Sequence, residues 1–185
     1  MNIHPSHLPS MAGEVRTYCK DKGWYDQPVP FDQATALLHE EVSEAGHAWR
    51  VWGLEDGTNG SATIPGGNPN AKPEGVGSEF ADILIRWLDD ETRFNLGAIE
   101  YLDSYEGAFA VDENFLANMN TLHVMLARVT IARDTCYEDP VREMAAVLVF
   151  LFQLADHYKI DLYAEYERKM RYNRSRAYRH GGRRA

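Results

Sequence analysis

Cysteine is scarce: Cys19 and Cys136 are the only two in 185 residues, too few for a disulfide framework or a cysteine-rich metal site. Long apolar runs are missing as well. The most apolar stretch, Ala145 to Phe152 and on to Ala155 with Gln153 inside it, falls well short of the ~20 residues that a membrane span needs. The first residues, MNIHPSHLPSMAGEV, hold no apolar core of signal-peptide length. There is no G-x-x-x-x-G-K-[ST], no G-x-G-x-x-G and no G-x-S-x-G, so the sequence offers no P-loop, dinucleotide or nucleophile-elbow chemistry. These absences predict a soluble protein of a reducing compartment, the cytoplasm by default, with no membrane role.

Basic charge is rare until the end of the chain. Residues 168–185 hold eight of the 19 Lys and Arg and no acid, which leaves a body of 167 residues with net charge −17. The overall charge of −9 argues against a general nucleic-acid coat protein. An acidic body with a basic tail calls for an anionic ligand to bridge the two, or a cation to neutralise the acids. With 44% apolar residues the chain can bury a core, and its length suits one domain over residues 1–185.

Apolar spacing is helical almost throughout, and no stretch has a convincing period of two. The expected helices cover Met11–Lys20, Asp32–Trp52 with Asp32 as N-cap, Ser78–Phe94, a stretch from a cap at Asp112 or Asn114 to Arg133, Pro140–Tyr158, and a last one capped by Asp161 and running to Asn173. Residues 97–111 read as a short helix and a turn. Residues 53–77 are rich in Gly, Asn and Pro and form a long loop, either a functional lid or a tolerated insertion. The fold class is all-α, a helical bundle. Ser78–Leu96 and Arg142–Leu162 echo each other, which suggests a duplicated helical hairpin with halves 1–111 and 112–185; chance similarity of apolar helices is the alternative.

The carboxylates sit where a plain surface would not put them. On the second helix Leu37, Leu38, Val42, Ala45, Ala48, Trp49 and Trp52 form an apolar arc of roughly 140°. Glu41 falls inside it, Glu44 at its edge, and Glu40 and His47 point away. A carboxylate in a core-facing stripe is costly unless a cation or a proton compensates. An unpaired Glu41 would oppose folding, so Glu41→Gln is expected to gain ~1 kcal/mol in the metal-free protein. On the third helix seven of the ten residues from Glu79 to Leu88 are apolar, and Glu79, Asp82 and Arg86 share the remaining polar face. Glu41/Glu44 and Glu79/Asp82 both have i, i+3 spacing, which puts two carboxylates on one helix face. Four such acids make a hard-oxygen cage suited to Mg²⁺ or Mn²⁺ rather than Zn²⁺. Glu44-Ala45-Gly46-His47 is also half of a di-iron signature, but no other histidine has a Glu three residues before it.

The ordered set LLHEEVSEAG (37–46), GSEFADILIRW (77–87) and KMRYNRSRAYRHGGRR (169–184) resembles the MazG-like, all-α nucleoside-triphosphate pyrophosphohydrolases. The resemblance implies hydrolysis of (deoxy)nucleoside triphosphates between the α and β phosphates, to a monophosphate and pyrophosphate. It implies Mg²⁺ held by Glu41, Glu44, Glu79 and Asp82, with Glu40 orienting or deprotonating the water. Lys169, Asn173 and Arg176 would contact phosphate, and the chain would form a homodimer. This chain departs from the simplest pattern in its long loop and in the 80 or so residues between Asp82 and the tail helix. The alternative function is a non-catalytic helical protein whose basic tail binds nucleic acid or an acidic partner. Two hairpins that each lost opposite parts would leave one composite site, acids from the front and phosphate contacts from the back. The sequence leaves open whether these meet within one chain.

Overall fold

A computed structural model describes residues 3–55, 71–135 and 139–182, and these are helical with no strand among them. Seven helices follow in order: α1 (Leu8–Asp21), α2 (Phe31–Trp52), α3 (Val76–Phe94), α4 (Ala98–Tyr101), α5 (Phe115–Thr135), α6 (Pro140–His157) and α7 (Leu162–Ser175). Short 3₁₀ turns occupy Pro5–His7 and Leu102–Ser104, and a closing turn occupies Arg179–Gly182. The all-α class expected from apolar spacing is therefore observed.

Local chemistry explains most helix ends. Asp139 accepts a hydrogen bond from the Val141 N–H (2.9 Å) with Pro140 at the first helical position, and Asp161 accepts from the Ala164 N–H (3.2 Å). Both candidate caps of α5 are used: Asp112 accepts from the Asn114 N–H, and Asn114 from the Leu116 N–H. The start of α2 differs from expectation. Pro30 is the N-cap residue, and Asp32 lies in the first turn, where its charge faces the positive end of the helix dipole. Of the 53–77 loop, residues 56–70 lie outside the described residues, as does Cys136.

The buried apolar residues form one continuous cluster to which every helix contributes. Phe31 meets Phe94 at one end of the α2–α3 pair (5.1 Å between rings), and Glu41 meets Arg86 further along, so the two helices run antiparallel. α5 and α6 form the second hairpin, and α5 packs on α2. Trp87 is fully buried and donates its indole N–H to the Met144 carbonyl (2.9 Å), tying the two hairpins together. Trp49 stacks on Phe115 at 5.5 Å. α7 lies along α3 and brings the end of the chain back to the first hairpin. At Gly77 this approach is close enough that a Cβ would stand 3.0 Å from the Glu165 side chain. The second hairpin is apolar where the first is charged. Ala146, at the position matching Asp82, is buried in the core.

Candidate functional site

Because α2 and α3 are antiparallel with their polar stripes facing, Glu41, Glu79 and Asp82 converge. One carboxylate oxygen from each lies within 4.8 Å of the others. Glu41 and Glu79 are buried and Asp82 is half-buried. Two cations balance them. Arg86, one turn beyond Asp82, donates its Nε–H to Glu41 Oε1. Lys169, 3% exposed, reaches in from α7, 2.6 Å from Asp82 Oδ2 and 2.7 Å from the Ser78 hydroxyl. Ser78 in turn donates to the Pro73 carbonyl (3.0 Å), which pins the exit of the long loop to the same point.

The pairing is incomplete. Glu79 Oε2 is buried with no hydrogen-bond partner among the described residues, an arrangement that costs free energy until a cation or donor arrives. Burial pushes the Glu79 carboxyl up to about 8, against the opposing pull of Lys169. Burial likewise raises Glu41, with the Arg86 guanidinium pulling the other way. Desolvation alone would lower Lys169, but the carboxylates of Asp82 and Glu79 outweigh it and hold the ammonium above its ordinary value. Oxygen donors only, one of them unpartnered, fit a hard divalent cation.

The cluster opens onto a cavity of about 570 Å³ between α1, α2, α3 and α7, a size typical of small-molecule sites. Glu40 and Glu44 are exposed at its wall, and Lys169, Asn173 and Arg176 line the α7 side. Asn173 is buried, and its Oδ1 has no hydrogen-bond partner among the described residues. Further along α3 the lining carries Asp89, Asp90 and Arg93, and it also includes Tyr18, Trp24, Leu37 and Ile85. A second depression of about 530 Å³ lies beyond Glu44 and is lined by His47, Trp52, Glu74 and Glu79.

Of the four acids expected as ligands, three are together. Glu44 stands beside them, close enough for its charge to be felt by Glu41 and Glu79. His47, exposed, has no partner motif. Lys169 points into the carboxylate cluster itself, whereas Asn173 and Arg176 face the open cavity. Arg86 is the residue whose part the sequence reading missed. Its i+4 position after Asp82 was the available signal, but only the α2–α3 register brings it to Glu41. That ion pair corrects the expectation that Glu41 is unpaired.

The basic tail packs against the body. The Arg179 N–H donates to the Lys22 carbonyl (3.0 Å), the Arg179 guanidinium donates to the Gly23 carbonyl (3.2 Å), and Tyr178 donates its hydroxyl proton to Asp26. His180 lies 2.7 Å from the Tyr18 hydroxyl and edge-on to Trp24. The Tyr178 ring covers Gly23 so closely that a Cβ there would overlap it. Among the described residues no helix is long and apolar enough to cross a membrane. No protein-family model matches the chain, and comparisons with curated proteins and with solved structures give no significant match.

Proposed function

We propose that the protein is a Mg²⁺-dependent pyrophosphohydrolase of nucleoside triphosphates. The observation that carries this reading is the cluster Glu41, Glu79 and Asp82, whose Glu41 and Asp82 line a cavity that Lys169, Asn173 and Arg176 line from the α7 side. Glu41, Glu79 and Asp82, with Glu44 beside them, would hold the cation; Mn²⁺ suits the same oxygens. When bound it supplies charge neutralisation for the triphosphate. Arg176 and Asn173 bind phosphate oxygens from the α7 side, and Glu40 at the wall orients a water and takes its proton. The water oxygen bonds to the α-phosphorus as the bond to the bridging oxygen breaks, leaving pyrophosphate and a monophosphate. Lys169 holds Asp82 in place and keeps the acid cluster near neutrality.

A homodimer and a cytoplasmic setting belong to the same reading; exposed Leu116, Val124 and Ile131 along α5 support self-association. The tail-binding alternative is weakened because Tyr178 and Arg179 are engaged with the α1 turn.

The test is pyrophosphate release from a panel of ribo- and deoxynucleoside triphosphates, with and without Mg²⁺. Turnover that requires Mg²⁺ and is lost in Asp82→Asn and Glu79→Gln is expected. Mg²⁺ should also raise the wild-type melting temperature and leave that of Glu79→Gln nearly unchanged. Absence of turnover on every triphosphate, or equal Mg²⁺ shifts in both proteins, overturns the reading.

A further inference from the structure

The polar groups at the far end of the cavity are already satisfied, with one exception. Asp89 accepts from the Tyr25 hydroxyl (2.8 Å) and from Arg93 (2.8 Å). Arg93 also lies against the Tyr25 ring, 4.0 Å from its centroid, and near the Trp24 carbonyl. Asp90 lines the same space, is 5% exposed, and makes no hydrogen bond to any described residue. Its carboxyl faces the cavity, the side from which a hydrogen-bond partner can come.

Its position is suggestive of length. Asp90 follows Asp82 by eight residues on one face of α3, which is roughly 12 Å along the axis. A nucleotide whose phosphates sit at the acid cluster would extend its base toward this end. The cavity lining includes Trp24 and Leu37 as well as Tyr18 and Ile85, flat or apolar surfaces of the kind a heterocycle requires.

Resting on the nucleotide reading above, we propose that Asp90 reads the base, its carboxyl closing two hydrogen bonds with a heterocycle edge that carries a donor beside an acceptor. Burial, reinforced by the charge of Asp89 and opposed by the Arg86 and Arg93 guanidinium groups, pushes Asp90 up to about 8, so at neutral pH it presents an O–H and a C=O side by side. That pattern pairs with an N–H/C=O edge or with an N/NH₂ edge, and it leaves an inorganic polyphosphate unread. Asparagine keeps a donor and an acceptor in the same places, while leucine keeps only the bulk.

The experiment measures binding of α,β-imido nucleoside triphosphates carrying each of the common bases, and of inorganic tripolyphosphate, by calorimetry at pH 7 with Mg²⁺. At least one nucleotide should bind tenfold or more tightly than tripolyphosphate. Asp90→Asn should stay within about threefold of wild type, and Asp90→Leu should lose tenfold or more for the nucleotide but nothing for tripolyphosphate. The wild-type protein supplies a check that no folding defect can disturb. Methylating the hydrogen-bonding edge of the preferred base should weaken binding at least tenfold. Unchanged nucleotide binding in Asp90→Leu, indifference to that methyl group, or equal affinity for nucleotide and tripolyphosphate overturns the proposal and leaves the triphosphate reading standing. Failure of tripolyphosphate and every nucleotide to bind overturns both.

Discussion

Lys169 and Arg176 are both basic residues of the tail, and one substitution in each separates their parts. Lys169 is buried against Asp82 and Ser78, so Lys169→Ala leaves carboxylates uncompensated in the interior. A loss of about 3–5 kcal/mol in denaturant unfolding is expected. Arg176 lies at the cavity with its guanidinium over the Tyr172 ring (5.8 Å). Arg176→Ala should change stability by no more than ~0.5 kcal/mol while weakening triphosphate binding by about 1.5–3 kcal/mol. Comparable stability losses in the two variants would contradict this assignment. Asp90 provides a pH test. Its folded value is about 8 against an ordinary 3.8, so between those values the folded state holds a proton that the unfolded state has released. Stability should therefore fall as pH rises from about 4 to about 8, the contribution of Asp90 being fully present at the acid end. Melting curves of Asp90→Asn across that range should slope less than those of wild type.

At the scale of elements, the α2–α5 contact contains two histidines. His39 and His123 stack with rings 5.1 Å apart and 7° from parallel, their Nδ1 atoms 2.8 Å apart. One nitrogen must donate and the other accept, which neutral rings allow and a doubly charged pair does not. Burial lowers both groups from the ordinary 6.5, and His39 lowers His123 further. The sign is opposite to that of Asp90. This contact is intact above 6.5 and is lost as pH falls below it, so His123→Gln should flatten the acid limb of thermal stability between pH 7 and pH 5. The helices themselves were legible from apolar spacing and caps, as Asp139-Pro140 and Asp161 illustrate. Asp32 is not the cap of α2, because Pro30, with its own fixed backbone, takes that position two residues earlier.

For the molecule as a whole, the pairing of Lys169 with Asp82 brings the tail and the acids together within one chain. Mixing Glu41→Gln with Lys169→Ala should accordingly restore no activity; recovered turnover would mean that the two parts meet across subunits. The sequence by itself determined the all-α class, most helix boundaries, the candidate acids on α2 and α3, and the uneven charge of an acidic body with a basic end. Those properties depend on residue type and on spacing within one helix, which period and propensity express locally. Only the tertiary structure decided that Arg86 pairs with Glu41, that Lys169 reaches the acid cluster at the cavity wall, that Glu44 stands beside the cluster, and that Asp90 makes no hydrogen bond to a described residue. Each of these depends on the register between helices distant in sequence. Packing among α2, α3, α7 and the second hairpin sets that register, and helical spacing carries no trace of it.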